Sequence, residues 1–125
     1  MTGVLLEDTN RLWRAVVLQA LLDAAGLGRS LNPSWPEWKH QQIKKEAIDW
    51  LLGGSADFLD VCAAATVPDE AIVAFAKRLV RGDARSRELL IEWRDTFAKQ
   101  GRKQQNGVEV QQESDVPFSI FGDDF

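Results

Sequence analysis

The chain has 125 residues, 45% of them hydrophobic and 27% charged, with a formal net charge of −4. That length supports one domain with a modest core, and a single Cys excludes an internal disulfide. No apolar run approaches the ~20 residues of a membrane span, and the N-terminus lacks the charged-then-apolar pattern of a secretion signal, so an intracellular protein is expected.

Charge is distributed unevenly. Residues 1–76 carry six basic and ten acidic side chains, residues 77–103 nine basic and four acidic, and residues 104–125 five acidic and no basic ones. A basic segment followed by an acidic tail is a patterned chain, whatever its overall pI. Five Trp and no Tyr add a second departure from average usage, because each Trp needs a packed site and a partner for its N–H.

In chain order, Thr9 is a plausible N-cap for a first helix running to about Ala25. Trp13, Val16, Val17, Ala20, Leu21 and Ala24 form its broad apolar face. Leu12, Leu18 and Leu22 add apolar residues elsewhere, which predicts a central helix packed on two sides. Gly26 suits a left-handed C-cap, and residues 28–34 read as a loop. Ser34-Trp35-Pro36-Glu37 has the S-x-x-E form of a capping box, which predicts a second helix with Ile43, Ala47, Trp50 and Leu51 inward, ended by Gly53-Gly54.

Ser55 is placed to cap a third helix whose stripe is Phe58, Val61, Cys62 and Ala65. Thr66-Val67-Pro68-Asp69 repeats a cap-x-Pro-acid pattern before a fourth, with Ile72, Phe75, Ala76 and Leu79 inward. Gly82 closes that helix, and Asp83 caps a fifth in which Leu89, Leu90, Trp93 and Phe97 share a stripe until Gly101. The prediction is an all-α body of about five helices over residues 1–101. Its third and fourth helices form a helix-turn-helix-like pair around Val67. As core residues, Phe58 and Trp50 would each cost about 3–5 kcal/mol on truncation to Ala.

Residues 102–125 are expected to be a flexible linker and acidic tail, since the linker is too polar to offset its ordering entropy. Within the tail, Val116, Phe118, Ile120, Phe121, Asp123, Asp124 and Phe125 are the candidate partner-binding residues. The alternative is that Phe118, Ile120 and Phe121 fold back over a groove of the body.

No catalytic residues or cofactor are expected. Cys62 lies on an inner stripe, and His40 is the only His, which leaves no His cluster for a metal. Asp57, Asp60, Asp69 and Glu70 would serve a metal-dependent nuclease, but first-turn acids also answer helix N-termini with no ion bound. The second helix of the helix-turn-helix pair opens with Asp69 and Glu70, which phosphates would repel. DNA contact is therefore expected from Lys77, Arg78, Arg81, Arg85 and Arg87 around the last helix junction. The same residues also complement helix C-termini without a ligand.

The runs R-A-V-V-L-Q-A-L-L-D-A-A-G and E-A-I-D-W-L-L-G-G-S-A-D-F-L-D-V-C-A-A-A-T-V-P resemble small helical proteins of tailed bacteriophages and gene transfer agents. The shared positions here are Trp50, Leu51, Phe58, Val61, Cys62, Ala65, Val67 and Pro68, with Thr66 standing where Gly is usual. The likeness covers about residues 11–80, and a small terminase subunit is similar in plan. It implies a DNA-binding adaptor that forms homo-oligomers and recruits a protein partner through its tail, in the cytoplasm of a bacterial or phage-infected cell. The tail also resembles the acidic, Phe-ended tails of single-stranded DNA-binding proteins, although the body offers no strands for an OB-fold. The other expectation is a protein-interaction module without DNA affinity.

Overall fold

The apolar spacing of the sequence is realised as five α-helices and no strand among the described residues of the computed structural model, which are 2–30 and 32–105, with side chains described over 10–28 and 32–99. They are α1 (Thr2–Ala24), α2 (Glu37–Leu52), α3 (Ala56–Ala65), α4 (Asp69–Val80) and α5 (Ala84–Gln105), with a 3-10 turn over Leu27–Ser30 opening the α1–α2 connection. The tail residues Val116, Phe118, Ile120, Phe121, Asp123, Asp124 and Phe125 lie outside the described residues.

Helix α1 is central because it is apolar on more than one face. Val17, Leu18, Leu21, Leu22 and Ala24 are all buried, and α1 packs on each of the other four helices. Two long-range contacts orient α5 against it. Arg87 at the start of α5 donates to the Ala25 carbonyl just past the end of α1, at 2.8 Å. Ten residues further on, the Arg11 guanidinium sits 3.8 Å over the Phe97 ring. The two helices are therefore antiparallel. The single core joins these helices through Phe58, Phe75, Ile72, Leu51, Leu90 and Trp93, all fully buried. Trp93 departs from the expectation for Trp, since its buried indole N–H has no acceptor among the described residues.

The helix boundaries differ from the predicted ones where a neighbouring constraint outweighs a local cap signal. Helix α1 starts at Thr2 and passes through Thr9, so the apolar run continues across a residue that can also cap. Ser34 does not cap α2. Pro36 is the N-cap, with extended backbone (φ −68, ψ 159) and no side-chain hydrogen bond; a proline disfavours helical backbone in the residue before it, which leaves Ser34 outside the helix. Helix α5 continues through Gly101 to Gln105, consistent with a helical Gly costing only about 1 kcal/mol relative to Ala. Ser55 does cap α3, accepting from the Phe58 N–H at 3.2 Å. Asp83 caps the first turn of α5, accepting from the Ser86 N–H at 2.8 Å.

The α3–α4 turn holds the main correction. Thr66 closes α3 and does not open α4, whose N-cap is Pro68. It takes the left-handed conformation (φ 60, ψ 46). Its N–H bonds the Ala63 carbonyl at 3.1 Å, and the Val67 N–H bonds the Cys62 carbonyl at 3.0 Å. This is the Schellman pattern, with buried Val67 as its hydrophobic contact. Gly82 ends α4 in the same way (φ 87), with the Gly82 N–H on Leu79 and the Asp83 N–H on Arg78. The second turn uses the residue suited to that conformation. The first uses a β-branched one.

Candidate functional site

The five basic residues expected to meet DNA are brought to one place, the junction of α4 and α5, but they are not equivalent there. Ser86, 1% exposed, organises the junction. Its hydroxyl donates to Asp83 Oδ2 at 2.6 Å and accepts from Arg78 Nε at 3.2 Å. The Arg78 guanidinium also lies over the Phe75 ring at 5.6 Å. The Ser86 hydrogen bonds, helped by Arg78 and Arg81 nearby, hold the Asp83 carboxyl below its ordinary range. Arg87 is half-buried and committed to the Ala25 carbonyl, where a cation also complements the α1 C-terminal dipole.

Arg78 and Arg87 thus tie α5 to α4 and α1. Lys77, Arg81 and Arg85 are exposed. Arg85 pairs with Glu88 at 3.5 Å, with both side chains mostly exposed, and such pairs contribute little. The surface available to phosphate is therefore Lys77 and Arg81, with Arg85 as a third contact once it leaves Glu88. At the other end of α4, Glu70 is exposed and Asp69 half-buried.

The residues weighed for catalysis are dispersed. Cys62 is 1% exposed, and burial, with Asp69 adding to it, pushes its thiol up to about 11. It is a core thiol at neutral pH, with no thiolate to act as nucleophile. His40 stands beside Trp35, ring centroids 5.8 Å apart, in a small cleft of about 50 Å³ that also includes Asp23, Asn32 and Lys44. Among the described residues no three His, Cys, Asp or Glu side chains gather as a metal-binding group. Asp57 accepts instead from the Trp50 indole N–H at 2.7 Å.

A larger feature is one whose position the sequence did not show. An open groove of about 690 Å³ runs between α1 and α2 and reaches the start of α3. Its apolar lining includes Leu12, Trp13, Val16, Ile43, Trp50 and Val61. Leu12 is 60% exposed and Val16 37%, although both belong to the apolar positions of the central helix. The signal was present in α1, which has more apolar positions than its intramolecular contacts cover. Only the tertiary arrangement shows which remain open. Among the described residues, the polar side chains of the groove are Gln19, Asp23, Glu46 and Asp57, and no Lys or Arg lines it.

No protein-family model, curated protein or solved structure matches the chain. No helix among the described residues is long and apolar enough to cross a membrane.

Proposed function

We propose that this chain is a non-catalytic adaptor that acts as a protein-interaction module, with the α1–α2–α3 groove as its docking surface. The observation that carries this reading is the open apolar lining of the groove, centred on Leu12, Trp13 and Val16 of the most deeply packed helix. Water-exposed apolar surface on a rigid floor favours a partner's apolar stripe, and a groove between helices suits an amphipathic helix. Trp13 and Trp50 line the groove and would report occupancy. Titration with helical peptides bearing a Leu stripe should shift tryptophan emission in the full chain. The double variant Leu12→Asp/Val16→Asp should abolish the shift while melting as the parent does, since both side chains are substantially exposed. An unchanged titration in that variant would remove the groove from the reading.

A second reading, DNA contact by the adaptor, is favoured by Lys77, Arg81 and Arg85 standing exposed at the ends of two helices joined by the Arg78–Ser86 hydrogen bond. Two or three phosphate contacts per chain give weak binding, so this reading requires several copies on one DNA. A small-terminase-like, phage-type context and homo-oligomerisation belong to this reading. So does a protein partner recruited by the 116–125 segment.

A further inference from the structure

The three acidic side chains of the groove are spaced along it. Asp57 lies beside Trp50, Glu46 is on α2, and Asp23 lies where the groove adjoins the small cleft containing His40. Among the described residues none of them has a cationic partner. Asp57 accepts from Trp50, Asp23 from Gln19 at 3.0 Å and Glu46 from Gln42 at 3.1 Å. Lys44 lines the adjoining cleft and not the groove. Outside the groove, Lys45–Asp49, Arg85–Glu88 and Arg94–Asp95 each bring a base to an acid. Apolar walls whose charged lining among the described residues is all carboxylate specify charge as well as hydrophobicity.

We infer that the groove takes a basic amphipathic helix from a partner protein, about three turns long, with an apolar stripe on the α1–α2 walls and Lys or Arg side chains against Asp23, Glu46 and Asp57. This rests on the protein-interaction reading proposed above. The length follows from α1, where Leu12 to Asp23 spans about 16 Å at 1.5 Å per residue. The sign follows from charge complementarity, which selects partners chiefly by penalising the wrong charge. Burial already holds the Asp23 carboxyl above its ordinary range, the hydrogen bond from Gln19 opposing that only in part. A partner cation would remove that penalty.

Two other occupants fit less well. The chain's own 104–125 segment carries five acidic and no basic side chains, so its Phe residues would bring like charge to an acidic rim. A second copy meeting the groove with its own Leu12–Val16 face would bring the same carboxylates with it, so like charges would meet. Its other exposed large apolar side chains, Trp38, Leu59 and Val80, are on three different helices.

The test uses the full chain and two helical peptides of about sixteen residues with the same Leu stripe, flanked by Lys in one and Glu in the other. Binding is read from tryptophan emission at about 50 mM and 500 mM salt. The expected result is at least a tenfold preference for the Lys peptide at low salt, shrinking at high salt. Asp23→Asn/Glu46→Gln/Asp57→Asn should lose that preference while keeping the apolar binding common to both peptides, and this also separates charge recognition from loss of fold. Equal binding of the two peptides would overturn the charge assignment and leave the docking groove standing. Failure of both to bind would overturn the groove reading and this inference with it. Two outcomes would replace the partner with another occupant. Peptide binding gained only with Phe118→Ser/Phe121→Ser would identify the chain's own tail. Concentration-dependent self-association in sedimentation, lost with Leu12→Asp, would identify a second copy.

Discussion

Thr66 and Cys62 show how one side chain carries a local energetic consequence. Thr66 adopts φ 60 at a position where Gly82, closing the next helix, has no Cβ to strain. A left-handed conformation costs an L-residue about 1–2 kcal/mol, part of which Gly would return through its freer unfolded chain. Thr66→Gly is therefore expected to raise stability by about 0.5–1 kcal/mol, and Thr66→Ala to give no such gain, both measured by thermal or urea unfolding. A Gly variant that melts no higher than the parent would contradict the strain. For Cys62, burial raises the folded thiol to about 11 from its ordinary 9.0. Between those values the unfolded chain loses its proton while the folded chain keeps it. Stability due to this thiol is therefore complete below about pH 9 and falls as pH rises toward 11. At neutral pH a maleimide should label Cys62 at the rate of unfolding, and rapid labelling of the native chain would show that the thiol is accessible.

At the scale of elements, the stripes were legible and the depth of each residue was not. The spacing of Phe58, Val61, Cys62 and Ala65 on α3, and of Ile72, Phe75, Ala76 and Leu79 on α4, corresponds to buried positions throughout. Trp50 shares a stripe with Ala47 and Leu51, yet it is only half-buried, its ring edge-on to Phe58 at 5.2 Å and its N–H on Asp57. The two truncations should therefore differ. Phe58→Ala should cost about 3–5 kcal/mol and Trp50→Ala about 1–2 kcal/mol, read from urea midpoints at constant m-value. Equal losses would mean that Trp50 is a core residue after all. The long-range roles of two arginines were not legible for a related reason. Arg14 Nε donates to the Ala65 carbonyl at 2.9 Å, and Arg87 donates to the Ala25 carbonyl. Both satisfy the end of a helix distant in sequence, and local pattern contains no information about where that end lies.

At the scale of the whole molecule, the charge segregation along the chain becomes two surfaces of different character. The basic junction keeps Lys77, Arg81 and a loosely paired Arg85 for an external anion. If it binds DNA, the salt slope should be shallow, about −0.9 per phosphate neutralised and so near −2 to −3 per chain. Lys77→Gln/Arg81→Gln should abolish that binding with little change in melting temperature, because neither side chain hydrogen-bonds within the Ser86 network and Arg78 still faces Asp83. A slope near zero, or binding that survives the double variant, would dismiss the junction as the DNA surface.

The sequence by itself determined the all-α class, the five helices and nearly all of the buried stripe, because helix periodicity and turn residues act over a few neighbouring positions. It also determined the Cys62 environment, since an inner-stripe Cys is buried whichever helix covers it. Tertiary structure alone decided that Leu12 and Val16 face a groove while Leu18 and Leu22 face the core. It also decided which of five clustered basic residues are committed inside the molecule. Both outcomes depend on where α2 and α5 pack against α1, and that packing is set by the summed burial of the whole core, to which no local stretch of sequence corresponds.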